Sequence, residues 1–289
     1  AWAGAGDFTY GTSTLVMAKS GTQTINYLDN EQIYNLTVND GSTTQLFCVD
    51  NSGGALRPYG NLIVNEKLKS HASTSNTQIK MKTGSKTITI QSDVKTTALS
   101  DLFRIYNDSG GVIDFPELTT QRIFINDGTS SATGDLTITA ELQIDGGTTF
   151  DANGNTINTA EVDVNGGTLN LSNSTLNFAT AGQEWNMTSA STLTTGNTTV
   201  TGYSSGNPTT LALPDTSPST SNFEIVGNVS NLKAGTLTDL TVIGSVTNCI
   251  TSTSTGIIRQ WHHTLDTQQL LDADSAGDDD LRLTKPALD

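Results

Sequence analysis

Aromatic side chains make up only 6% of this 289-residue chain, and hydrophobic residues of every kind only 34%. That is too little material for the wide core of a large globular domain. Charge is scarce as well, at 15%, which argues against the highly charged composition of disordered chains. Basic residues are the scarcest class: 14 of them against 29 acidic give a formal net charge of −15. A nucleic-acid binder carries a basic footprint and this chain carries the reverse, so no nucleic-acid partner is expected. The acidic surface also repels anionic membranes and polymers at long range. No apolar stretch approaches the ~18 residues of a spanning helix, and no basic segment leads into an apolar run. Neither membrane insertion nor a secretory leader is therefore read from it. Cys48 and Cys249 are the two cysteines. Without a CxxC spacing they make neither a zinc site nor a disulfide framework, and each is read as a small inward-facing apolar residue.

What fills the space is Thr, Ser, Asn and Gly. Branching at Cβ suits Thr and Val to a pleated surface, while Gly and Asn tolerate positive φ and mark corners. The chain thus reads as many short strands joined by tight turns.

A short pattern recurs: two apolar residues flanking any residue, then Asn or Asp, then a glycine-containing turn. It occurs as Leu36-Thr-Val-Asn-Asp-Gly41, Ile123-Phe-Ile-Asn-Asp-Gly128, Leu142-Gln-Ile-Asp-Gly-Gly147 and Val162-Asp-Val-Asn-Gly-Gly167. Its second apolar position falls at Ile125, Ile144 and Val164, close to 20 residues apart. Alternating apolar residues give a strand one inward face, and a period near 20 is the signature of a coil whose rungs stack. The expected fold is all-β, a parallel β-helix of short rungs over residues 1–255. Loop insertions are expected near 91–120 and 203–222, where Pro116, Pro208, Pro214 and Pro218 cannot donate to a ladder. The alternative is a β-sandwich or jelly roll, since a turn such as Asn39-Asp40-Gly41 could also close a hairpin.

Residues 256–289 differ in composition and read as an acidic cap or junction. A short helix is expected over Leu265–Ala273, and Trp261, His262, Leu265, Leu270 and Leu271 are the candidate interface residues. Such a segment would cover an open solenoid end.

Candidate chemistry is thin. Asp272-Ala-Asp274-Ser-Ala-Gly277-Asp278 begins like a calcium loop, but Ala276 and Leu283 stand where two ligands are needed. His262 and His263 are neighbours on a strand and would face opposite ways. Paired carboxylates for glycan cleavage stand roughly 5–10 Å apart. The expected one-turn ladder is Asn126, Asp145, Asn165, which suits turn hydrogen bonds better than catalysis. No catalytic, cofactor or metal residue is assigned, and no enzyme is expected. A cluster of three acids, or an Asp–Arg–Lys grouping, would favour the enzymatic alternative.

The units IYNLTVNDGSTTQLF, GDLTITAELQIDGGTTFDANGNTINT and AEVDVNGGTLNLSNSTLNF resemble the repetitive β-solenoid segments of phage tail fibres, virion decoration proteins and bacterial adhesins. The ending WHHTLDTQQLLDADSAGDDDLRLTKPALD is similar to a segment of marine phage structural proteins. The resemblance implies a right-handed parallel β-helix, often trimeric, displayed outside a particle or cell. Expected partners are further copies of the chain, other virion or surface proteins, and a cell-surface glycan. No catalytic residue is carried over with it.

Overall fold

In the computed structural model, short apolar strands separated by Asn and Gly corners wind into stacked parallel coils. It describes residues 11–49, 54–73, 77–102, 104–178, 184–188, 190–194, 198–203, 210–212, 223–227, 229–234, 239–243, 246–251, 257–262, 267–272 and 282–284. The described residues are all-β, and the stacking is that of a β-solenoid. A sandwich built from hairpins would need antiparallel neighbours. Here strands pair in parallel from Gly21–Tyr27 with Ser42–Cys48 to Asp239–Ile243 with residues 257–261, an isolated antiparallel bridge between Asp145 and Gly166 aside, and Asn39-Asp40-Gly41 leads into a strand that pairs in parallel rather than closing a hairpin.

The chain divides into two compact units, Ala1–Leu142 and Gln143–Asp289. In the first, β1 (Thr14–Met17), β2 (Gly21–Tyr27) and β3 (Gln32–Ile33) form one coil. The next coils are β4 (Asn35–Val38), β5 (Ser42–Cys48), β6 (Ala55–Pro58), and then β7 (Leu62–Val64), β8 (Lys67–Ser70), β9 (Gln78–Lys82). Each strand pairs with its counterpart one coil on, so three walls form: β1–β4–β7, β2–β5–β8 and β3–β6–β9. β10 (Lys86–Ile90) continues the first wall. Two long strands follow, β11 (Arg104–Phe115) and β12 (Leu118–Ala132). β11 pairs with β9 through Arg104–Asp108 and with β10 through Ile113 and Asp114, so a single strand spans two walls. β13 (Leu136–Asp145) carries the chain past Leu142.

The segment 91–120 is therefore not an inserted loop. Residues 104–115 are strand, and Ala98, Leu99 and Leu102 are fully buried. Leu68 N–H donates to Ala98 O at 2.8 Å, and Gln121 N–H donates to Leu102 O at 3.3 Å. The turns of 91–102 thus stand in the wall where a strand would be. Pro116 sits between two strands, where it has no ladder bond to give.

Inward columns make the core. Leu36 faces Leu62 and Leu62 faces Ile88; Val38, Val64 and Ile90 form the row beside them. Ile79, Ile105 and Ile123 stack in the third wall. Their buried alignment is what lets a narrow aliphatic column, at about 25 cal/mol per Å² removed from water, hold a chain poor in hydrophobic residues. One polar knot interrupts it. Asn107 is fully buried, and its Nδ2 donates to Thr129 O and Ser130 Oγ, both at 2.9 Å. Its Oδ1 accepts from Ser109 N–H at 3.1 Å and from Ser109 Oγ at 2.7 Å, so every polar group of the amide is satisfied.

The second unit repeats the design. β14 (Thr149–Asp151) is followed by β15 (Thr156–Asn165), which changes partner at Ala160. Its first half pairs with β17 (Thr175–Phe178) and its second with β18 (Glu184–Met187), while β14 pairs with β16 (Thr168–Asn170). Phe150 faces Leu169, Ile157 faces Leu176 and Val162 faces Trp185. The strands β19 (Thr192–Thr194), β20 (Thr198–Tyr203), β21 (Thr210–Ala212), β22 (Phe223–Gly227), β23 (Val229–Ala234), β24 (Asp239–Ile243) and β25 (Val246–Thr251) extend the walls in parallel. β21 and the last residue of β20, Tyr203, lie within the segment expected as a loop near 203–222; residues 204–209 and 213–222, with the three prolines, lie outside the described residues.

Coils vary in length. Partners one coil apart are separated by 17 residues at Ser131 and Asp114, by 27 at Val112 and Ser85, and by 30 at Leu68 and Ala98. The expected 19-to-20-residue step holds in the middle of the chain, as between Asn177 and Asn158. Corners fall where positive φ is tolerated, including Asn30, Asn153, Asn173 and Gly41. Cys48 is buried, as a small apolar side chain would be; Cys249 of β25 sits opposite Leu232 of β23.

The C-terminal strands reverse the pattern. β26 (Ile257–His262) pairs in parallel with β24, then β27 (Thr267–Asp272) runs antiparallel to β26 and β28 (Arg282–Thr284) antiparallel to β27. The expected helix over Leu265–Ala273 is a strand through residues 267–272. Tertiary pairing along β26 overrides the local leucine spacing that pointed to a helix.

Candidate functional site

Trp261 and His262 lie on β26, and Leu270 and Leu271 lie on β27, which the antiparallel register sets beside it: Arg259 faces Leu270 and Ile258 faces Leu271. Leu265, His263 and most of the calcium-like segment after Asp272 lie outside the described residues. Among the described residues no group of three or more His, Cys, Asp or Glu could hold a metal ion. Asp145 serves a turn: its carbonyl accepts from Thr148 N–H at 3.2 Å and Thr148 Oγ1 at 2.7 Å, and its side chain accepts from Gln143 at 2.7 Å.

A denser constellation lies elsewhere, on the outer face of β6, β9, β11 and β12. Strand alternation turns Ile79 and Met81 inward and leaves Gln78, Lys80 and Lys82 outside. On β11 it leaves Arg104, Tyr106 and Asp108 outside, and on β12 Arg122 and Phe124. Register then stacks them. Lys80 faces Tyr106, Tyr106 faces Phe124, and Lys82 faces Asp108, which faces Asp127. Arg57 follows Leu56, the partner of Ile79, and so heads the column of Lys80.

The outward rings are nonetheless buried: Tyr106 is 6% exposed and Phe124 5%. They stack on each other with centroids 4.8 Å apart and planes 16° apart. Cations roof them. Lys80 Nζ stands 4.7 Å from the Tyr106 centroid, and the Arg104 guanidinium carbon 5.3 Å from that of Phe124. Arg104 Nη1 also donates to the Tyr106 hydroxyl at 3.1 Å. Each such contact contributes about 0.5–2 kcal/mol, depending on desolvation. Its larger effect is to hold a mobile cation in one place.

Flanking charges are neutralised. Arg122 Nη1 pairs with Glu141 Oε2 at 2.8 Å, and Lys82 pairs with Asp108. Lys80 and Arg57 form no ion pair among the described residues; Arg57 donates to the Asn30 side chain. The surface thus offers two chemistries side by side: cationic donors over aromatic rings, and the exposed carboxylate of Asp127 beside the paired one of Asp108.

Sequence reasoning passed over this site because its middle strand, Arg104–Phe115, lies within the segment read as an insertion. A signal was present. Arg104-Ile-Tyr-Asn-Asp108 is a copy of Arg122-Ile-Phe-Ile-Asn-Asp127 with one residue fewer, and the structure absorbs the difference as a register shift between Asn107 and Asp108.

Comparison of the chain with protein-family models, with curated proteins and with solved structures returned no match.

Proposed function

We propose that the chain is a non-enzymatic virion structural protein, a tail-fibre or capsid-decoration module that presents its outer walls for assembly or host attachment. The observation that carries this reading is the way outward polar side chains tie coil to coil. Asn170 Nδ2 donates to Asp151 at 3.0 Å, Asn177 Nδ2 to Asn158 at 2.8 Å, and Asn186 Nδ2 to Asp163 at 3.2 Å. Polar groups spent on one another stiffen a display surface and leave few poised for chemistry. The resemblance of the repeats to fibre and decoration segments, and the antiparallel strands at the C-terminal end, agree with it. A secreted adhesin displayed on a cell would use the same features.

The test is the mass of the native assembly by light scattering, with the protein also sought on particles from its source. A stable homo-oligomer, or a particle-bound array, supports the reading. A monomer found on neither particle nor cell surface overturns it.

One observation favours a different class. Asp108 and Asp127 are register partners on adjacent rungs, with Lys82 paired to Asp108, and glycan cleavage calls for two neighbouring carboxyl groups. A panel of neutral and acidic polysaccharides decides this: release of fragments that Asp108→Asn abolishes would establish a hydrolase or lyase.

A further inference from the structure

We infer that the outer face of β6, β9, β11 and β12 is a binding site for a linear acidic polysaccharide, whose carboxylates are held by Lys80 and Arg104. This deepens the attachment reading and rests on it.

The first ground is where the cations are. Arg57, Lys80, Lys82, Arg104 and Arg122 are five of the 14 basic residues of a chain that carries −15 overall, and four adjacent strands bring them to one wall. Ion pairs for fold stability account for Lys82 and Arg122. Lys80 instead faces a ring. The net charge repels polyanions only at long range. At physiological salt the screening length is about 8 Å, so the groups at contact decide the sign of the interaction.

The second ground is preorganisation. Arg104 is fixed between the Phe124 ring and the Tyr106 hydroxyl. A guanidinium held in this way loses little rotamer freedom when it forms the paired hydrogen bonds that a planar carboxylate accepts. The buried rings serve as a floor for these cations.

The third ground is spacing. Parallel rungs repeat at roughly 4.8 Å, close to the length of one sugar residue. Donors on successive rungs therefore meet successive residues of a polymer laid across the strands. Asp127 is exposed beside them and accepts hydrogen bonds from sugar hydroxyls. That mixture of cation and carboxylate also separates a glycan from a nucleic acid. Single strands are held by bases stacked on accessible rings, and Tyr106 and Phe124 are covered.

The experiment is calorimetric titration of the full chain with an oligogalacturonate, a neutral maltooligosaccharide of equal length and a single-stranded oligodeoxynucleotide. The variants are Lys80→Gln with Arg104→Gln, and Lys69→Gln on β8 as control. Thermal melting shows that each is folded. The expected result is binding of the oligogalacturonate alone, weakened about tenfold or more in the double variant through loss of charge-assisted bonds and unchanged in the control. No uronate binding, equal binding of the neutral sugar or the oligonucleotide, or an unaffected folded double variant would overturn the site. A native assembly of unchanged mass that ignores the uronate sinks the glycan site and leaves the structural reading standing. Cleavage of the bound uronate would sink the structural reading and leave the site.

Discussion

The two units build the same parallel walls, yet the first adds ion pairs to the amide bonds that join its coils, and the described side chains of the second use amides without them. The first carries ten basic and fourteen acidic residues, a formal net charge of −4; the second carries four and fifteen, a net charge of −11. No Lys or Arg occurs between Arg122 and Lys233. Ion pairs join Lys67 to Asp101, Lys82 to Asp108, Lys95 to Glu117 and Arg122 to Glu141 in the first unit. In the described side chains of the second, coils are tied outside by amide-to-carboxylate and amide-to-amide ladders at Asn170, Asn177 and Asn186. Stacking therefore does not require cations. Five of the first unit's cations nonetheless gather on one wall, the concentration on which the proposed glycan site rests.

Substitutions at four positions break or sharpen this contrast. The largest effect belongs to the shared core rather than to either outer chemistry. Phe150 is fully buried opposite Leu169, and Phe150→Ala is expected to cost about 3–5 kcal/mol in denaturant unfolding. A loss under about 1 kcal/mol would mean that the aliphatic column does not hold the second unit. Next comes the polar knot of the first unit. Asn107→Ala deprives Ser130, Ser109 and the Thr129 carbonyl of their partner, for a loss of about 2 kcal/mol. Asn107→Asp should restore little of it, because the Nδ2 donor is what two acceptors need.

The remaining pair is read together, at low and high salt. Arg122→Met leaves the buried Glu141 without its cation and is expected to cost about 1 kcal/mol at low salt and less at high salt. Asn177→Ala removes a neutral ladder bond and is expected to cost about 0.5–1 kcal/mol at either salt concentration. Hydrogen exchange resolved by segment assigns each loss to its unit. Equal salt sensitivity in the two variants would dissolve the contrast between charged and neutral ladders.

Much of the architecture was legible because a solenoid writes its period into the chain. Ile125, Ile144 and Val164 mark successive coils in the stretch where coil length is nearly constant, and Asn and Gly mark their corners. Legibility failed where coils change length. Leu36, Leu62 and Ile88 stack 26 residues apart, too far for a search tuned to 20, and the copy at Arg104–Asp108 is one residue short. It failed again where a strand turns a corner without Gly or Pro, as β15 does at Ala160, so that two short strands become one long one. The candidate site depended on the missed copy. Lys80, Tyr106 and Phe124 are unremarkable in sequence and meet only through registers of 26 and 18 residues, as Ile79 faces Ile105 and Ile105 faces Ile123.

At the head of β4 and its neighbours, Asn35 Oδ1 accepts from Asn61 N–H at 2.7 Å, and Asn61 Oδ1 accepts from Thr87 N–H at 3.1 Å, 26 residues on each time. The bond leaving each coil has the same form as the bond entering it. A coil so bounded is an interchangeable part, because the surface it offers to the next is the surface it received from the last. Tandem copying of such a segment lengthens the stack without a new core having to be invented. In a chain of this kind, reach and recognition can change independently: one by counting coils, the other by repainting a single wall.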